Sequence, residues 1–430
     1  MADQATPGPV APGSTIVVPP GLRTDLAGTP LNCQFGYRGP DTAFDDAATR
    51  IFAEATGIEA VHTIGDASVT DQLTQILTQL GAQTSDVDVY QIDVIWPGII
   101  AEHAVDLSAS LAAQAKLMFP EAIANDTVGG VLVGMPWING AGLLFYRTDL
   151  LEAYGFAAPP ATWSELETQA AAVQTGERAA GASDFQGFVW QGNAYEGLTC
   201  DALEWQASSG GGSIIEPDGT VSVDNERAAA AMERAARWVG TISPPGVTTY
   251  EEPDCLNLFA TGNALFMRNW PYAWNASQDV GSAIAGRVGV AALPAGDEPG
   301  NHSAAALGGF ALMVSRYSQH QDAALEFVKY LTSPELQRSY VIERGNLPTI
   351  ASVYDDPAVA AASEFVPRLR PIFEGGTVAR PSSVAGPFYN DVSVAYQAAV
   401  HQILTGSLEA SPALKDLAGE LETIMADLKG

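Results

Sequence analysis

Positive charge is scarce in this chain. Twenty lysines and arginines face 50 aspartates and glutamates over 430 residues, a net charge of −30, and only four of the basic residues are lysine. Such a surface repels nucleic acid and anionic membranes, favours solubility, and suits a neutral ligand better than a phosphorylated one. Long apolar runs are missing as well. No run of about 20 uniformly apolar residues without charges appears, so no membrane span is expected. The opening Met-Ala-Asp-Gln has no basic region leading into an apolar one, so it does not read as a signal peptide.

Cysteine is equally thin. Cys33, Cys200 and Cys255 form no C-x-x-C pair and have no metal-ligand spacing. Two readings stay open for them: a Cys200–Cys255 disulfide with Cys33 buried, or three buried free thiols. There is no Gly-rich phosphate loop ending in Lys-Ser/Thr, no G-x-S-x-G elbow and no H-E-x-x-H. The five histidines are scattered, with no pair at a metal-binding interval. No cofactor and no metal are expected. Counting alone does not exclude a two-carboxylate hydrolase, because 50 acids place some pair together by chance.

What is present is the composition of a well-packed protein, 47% hydrophobic and 16% charged, and long enough for two domains. Residues 1–30 read as a Pro/Ala/Gly-rich tether that cannot form a core. Such a tether remains after removal of an export or lipoprotein signal, or is added by cloning; export is the expectation carried forward. From Asn32 onward, short apolar runs alternate with helical patterns. Strands are expected over 32–37, 60–64 and 87–93, and helices over 44–56 and 70–80, where Leu73, Ile76, Leu77 and Leu80 share a face. This β–α–β–α order predicts a parallel or mixed sheet wrapped by helices. A long strand-like run over 134–146 has a polar break at Asn139-Gly140. Further helices are expected over 149–154, 162–174, 225–240, 323–331 and 391–404.

The informative feature is tryptophan and tyrosine clustered beside glycine, proline and small polar residues. The clusters are DVIWPG (93–98), MPWING (135–140), GFVWQGNAYEG (187–197) and MRNWPYAW (267–274). Sugars offer apolar C–H faces that stack on aromatic rings, and hydroxyls that need directional partners. Carboxylates accept paired hydroxyl bonds, and arginine donates in a fixed fork. The competing explanation is that these rings fill core pockets, which is the rule for an isolated tryptophan.

The stretches QGFVWQGNAYEGLTCDALEW, FATGNALFMRNWPYAW and GRVGVAALP…LGGFALMVSRYS together resemble the trehalose/maltose-binding proteins. These are extracellular solute-binding proteins (family 1) serving ABC importers. Collinear similarity extends through VDVYQIDVIWPG and GLLFYRTDLLEAYGF, nearly the whole chain from about residue 31. The resemblance implies an α/β, two-lobed periplasmic-binding-protein-like fold, with three inter-lobe crossings, a ligand cleft between the lobes and hinge closure. It assigns 31–136 and 303–333 to an N-terminal lobe, and 139–300 and 336–430 to a C-terminal lobe. It also implies a monomer outside the cytoplasm, periplasmic or lipid-anchored at the outer face of the cytoplasmic membrane. Its partners would be a small neutral disaccharide and the permease subunits.

Position by position, the resemblance suggests sugar-binding roles for Asp41, Asp93, Trp270, Tyr272 and Arg380, with Tyr195 as an aromatic platform. Gly308 and Gly309 would allow close backbone approach. Four positions depart from relatives: Trp137 stands for Tyr, Asn139 for Asp, Phe310 for Trp and Gln72 for Arg. Hydrogen bonds to charged groups are worth about 1.5–3 kcal/mol against about 0.5–1.5 for neutral ones, so these exchanges leave the sugar open. Trehalose, maltose, sucrose and a glucosyl-polyol are all compatible. The alternative is a secreted α-glucoside hydrolase using carboxylates such as Asp93 and Glu196.

Overall fold

The computed structural model describes residues 16–36, 41–65 and 69–428. The first fifteen residues of the expected tether lie outside them. The chain divides into two compact units and passes from one to the other three times. The first unit takes the chain up to Asn139 together with Gly309–Arg370; the second takes Gly140–Gly308 and the chain from Pro371 onward.

In the first unit, the strands Glu59–Ile64, Pro30–Phe35 and Val89–Asp93 lie side by side and parallel. Helices link them, and parallel neighbours require such crossovers. The helix Thr42–Thr56 buries Phe44, Ala48 and Phe52, and ends on Gly57 in the left-handed conformation, φ 75°. Val69–Gly81 lays Ile76 and Leu80 against Tyr90, Ile92, Trp96, Ala311 and Met313, with Leu73 and Leu77 at the margin. The far edge is antiparallel: Phe310 to Val314 run against Asp93 to Val89. Buried Asp88 ties this edge down by accepting from the Asn32 amide (2.8 Å) and the Ser318 hydroxyl (2.6 Å).

The helix Pro334–Arg344 belongs to this unit. Tyr340 packs on Phe44 with centroids 4.1 Å apart, Gln337 donates to the Trp137 carbonyl, and Arg344 pairs with Asp41 at 3.0 Å. Residues 336–370 therefore pack with the first unit rather than the second, and the third passage falls at Arg370 instead of near residue 335.

The second unit holds a four-stranded sheet ordered Val288–Ala291, Leu143–Arg147, Ala264–Asn269, Gln186–Val189. The strand-like run at 134–146 becomes two strands, Met135–Ala141 and Leu143–Arg147. The break falls at Gly142, where a side chain would collide with Glu204. Thr162 caps the helix Trp163–Ala179 by accepting from the Glu165 amide. Trp163, Phe188, Trp190, Trp205 and Trp238 form one ring cluster, with neighbouring centroids 4.9–6.5 Å apart. Three of the indole N–H groups in this cluster donate to nearby side chains, Trp163 to Ser208, Trp190 to Ser243 and Trp238 to Glu167.

All three cysteines are buried free thiols, which decides between the two readings left open above. Among the described residues, no helix is long and apolar enough to cross a membrane.

Candidate functional site

The aromatic clusters separate once burial is known. Trp96, Trp137 and Trp190 are at most 1% exposed and belong to the cores. Trp137 packs on Phe35 (5.1 Å) and edge-on to Tyr340 (5.8 Å), so the core occupies its ring faces. Tyr195 and Trp270 are half-buried, and Tyr272 is 49% exposed. A ring can serve a ligand only if some of it remains uncovered, and these three qualify.

In the second unit, the buried strand Ala264–Asn269 delivers the chain to Trp270. The indole Nε1 donates to Glu252 Oε1 at 3.0 Å, and the Tyr195 hydroxyl donates to Oε2 of the same carboxylate at 2.5 Å. Burial and the facing Glu252 charge both push the Tyr195 hydroxyl up, so it stays a donor. The Trp270 amide donates to Asn269 Oδ1 at 2.8 Å. Beneath the ring lies the Arg268 guanidinium, 4.1 Å from the centroid, a cation held against an aromatic face.

Arg268 is itself locked. It reaches Asp201 Oδ1 (2.9 Å), both oxygens of Glu204 (2.6 and 2.9 Å) and Gln191 Oε1 (3.2 Å), and all four side chains are buried. Asp201 also accepts from the Gln191 amide, and Glu204 from the Ala306 amide. Burial pushes the Asp201 carboxyl well above its ordinary range, against the pull of Arg268 and with Glu204 adding to the rise. A second node adjoins the first through the helix Glu196–Ser208. Glu196 accepts from Arg380 (2.7 Å), Ser393 (2.6 Å) and the Tyr389 hydroxyl, while Arg380 also donates to the Leu307 carbonyl at 3.0 Å. The next residue is Gly308, where a Cβ would come 2.7 Å from Trp270 Cζ3, so only glycine lets the strand pass that ring. Tyr195, Trp270, Tyr272, Gly308 and Arg380, far apart in sequence, are thus gathered in one unit.

The remaining candidates lie in the first unit. Asp93 accepts from the Ile95 amide at 3.1 Å and stands opposite Phe310 in the sheet register. Gly309, at φ 117°, accepts from the Val94 amide, and its missing Cβ would meet the Ile138 carbonyl at 2.1 Å. Asn139 is buried and paired through its backbone with Leu347. Gln72 is 3% exposed, with its Nε2 beside Gly36 and without a partner among the described residues. Asp41 receives Arg344 (3.0 Å) and Asn346 (2.8 Å). Close to Asp93 is buried Asp126, whose carboxyl burial pushes up to about 8; the Asn125 amide opposes that rise and the Asp93 charge adds to it. Glu252, Arg268, Asp201 and Glu204 went unremarked in the sequence, because one acid or arginine among many carries no pattern.

With these arrangements in view, comparison places the chain among known proteins. It belongs to the bacterial extracellular solute-binding proteins, whose family model matches residues 38–338. A "Probable ABC transporter-binding protein" of Deinococcus radiodurans is 50% identical over 347 residues, 80% of this chain and 82% of the relative. A probable amino-acid ABC transporter periplasmic-binding protein of Sinorhizobium fredii is 24% identical over 403 residues, covering 89% of this chain and 87% of the relative. Among solved structures, maltose-bound MalE3 of T. maritima has a TM-score of 0.81 at 35% identity, covering 92% of this chain and 100% of that one. An Agrobacterium radiobacter solute-binding protein in complex with ribitol has a TM-score of 0.76 at 23% identity, covering 93% and 99%, and supports the fold alone. The chain is a substrate-binding protein of an ABC transporter with a two-lobed α/β, periplasmic-binding-protein-like fold. Its relatives and structural neighbours are solute-binding proteins, not enzymes.

Proposed function

We propose that this chain binds a small neutral sugar, an α-linked disaccharide of the trehalose, maltose or sucrose kind or a glucosyl-polyol. It hands the sugar unchanged to permease subunits, acting as a monomer outside the cytoplasm, periplasmic or lipid-anchored. One observation carries the reading: Trp270 keeps part of its ring uncovered while Glu252 fixes its edge and Arg268 its face. An apolar platform of that kind, in the same unit as exposed Tyr272 and anchored Arg380, matches the alternation of C–H faces and hydroxyls on a sugar. Neutral Asn139 and Gln72, together with the net charge of −30, favour an uncharged ligand. Glu196, named in the hydrolase alternative, accepts three hydrogen bonds and is paired with Arg380, which disfavours it as a proton donor.

Isothermal titration against trehalose, maltose, sucrose, glucosylglycerol, glucose and maltotriose, with amino acids as a comparison set, tests the proposal. One-to-one binding of a sugar without release of glucose is the expected result. Trp270→Ala should weaken that binding by about tenfold or more. Silence across the sugars, or turnover of one of them, refutes it.

A further inference from the structure

Glu252 opens the helix Glu252–Ala260, and both of its carboxylate oxygens are taken by aromatic donors. Oε1 holds the Trp270 indole at 3.0 Å and Oε2 holds the Tyr195 hydroxyl at 2.5 Å. Its carbonyl accepts from the Asn269 amide side chain at 3.2 Å, and the same side chain accepts from the Trp270 backbone amide. The indole is therefore restrained on its edge by Glu252, along its main chain by Asn269 and on one face by Arg268. We propose that Glu252 is a positioning residue, whose carboxylate clamps Trp270 and Tyr195 by their polar edges so that both present apolar ring to a sugar.

This rests on the sugar-binding reading above. An indole N–H or phenol hydroxyl left free would turn toward water or a ligand hydroxyl, and the ring would sample several orientations. Binding would then have to pay for ordering that ring. A single carboxylate that satisfies both donors removes this disorder before ligand arrives. It also gives an acid beside two aromatics a role that needs no contact with the ligand. Glutamine in its place could accept the indole with its oxygen and donate to the phenol oxygen with its amide, which preserves the clamp without the charge.

The test combines titration with a readout that needs no ligand. In ¹⁵N–¹H spectra of the whole protein, the Trp270 indole signal is assigned by its loss in Trp270→Phe. Glu252→Ala should move that signal upfield and speed its exchange with solvent, while Glu252→Gln moves it less. With maltose, or whichever sugar of the panel binds the wild type best, Glu252→Ala should lose about tenfold in affinity. Glu252→Gln should recover most of that loss, and in a Trp270→Ala background the Glu252→Ala loss should shrink below about threefold. An indole signal unmoved by Glu252→Ala overturns the clamp. A moved signal with unchanged affinity, or full loss in Glu252→Gln, overturns the positioning role, the latter by showing that the carboxylate itself meets the sugar. A wild type silent toward every sugar refutes the sugar-binding reading instead, and the indole signal still decides the clamp.

Discussion

Removing the Arg268 guanidinium strands buried carboxyls in the second unit. Arg268, Asp201 and Glu204 are all at most 1% exposed, with two carboxyls gathered on one cation. In Arg268→Leu, Glu204 loses its contacts at 2.6 and 2.9 Å and keeps only the Ala306 amide, while Asp201 keeps the Gln191 amide. Breaking a buried pair by deleting one partner costs about 3–5 kcal/mol, because the surviving charge has no water to turn to. Each kcal/mol moves the midpoint of a unit of this size by about 2–4 °C, so calorimetry should show a fall of roughly 6–20 °C. Much of that cost is the stranded charge rather than lost attraction. Arg268→Leu combined with Glu204→Gln, which keeps an acceptor for Ala306, should therefore recover at least half the fall. A single variant that melts within about 2 °C of the wild type, or a double variant no better than the single, would refute this account.

Asp126 supplies the pH dependence. Its carboxyl is raised from 3.8 to about 8 by burial, so between those values the folded chain holds a proton that the unfolded chain has released. The unfolded state binds fewer protons there, so stability from this group is complete below pH ~4 and is lost as pH rises toward ~8, at up to about 1.4 kcal/mol per pH unit. Urea melts of Asp126→Asn should lack this falling limb, and its advantage over the wild type should grow from pH 5 to 8; parallel profiles would contradict the assignment. At Gly309, φ 117° and the Ile138 carbonyl 2.1 Å from a would-be Cβ predict that Gly309→Ala costs about 3 kcal/mol or more. Gly281→Ala, with nothing near it, should stay within about 0.5 kcal/mol in the same denaturation series.

Local patterning was a good guide wherever one periodic face meets one core. The helices at Thr42–Thr56 and Val69–Gly81 and the strands at Glu59–Ile64 and Val89–Asp93 fall within two residues of their expected places. The helix Glu196–Ser208 gave no such signal, because it is buried on nearly every side and its apolar residues mark no face. The division at residue 370 was also hidden, since it depends on Tyr340, Gln337 and Arg344 meeting Phe44, Trp137 and Asp41.

The site divides along the same line. The sequence by itself determined the chemistry available: abundant acid, little lysine, and aromatics beside glycine in NWPYAW. It also carried the family resemblance, because those runs are long and collinear. Only the tertiary structure decided which aromatics are uncovered, sending Trp137 and Trp190 into cores and leaving Trp270 and Tyr272 accessible. It alone joined Glu252 to Tyr195 and Trp270, and Arg268 to Asp201 and Glu204. Exposure and pairing of side chains depend on what lies next to them in space, and residues up to 197 positions apart along the chain, such as Glu196 and Ser393, become neighbours only when the second unit folds.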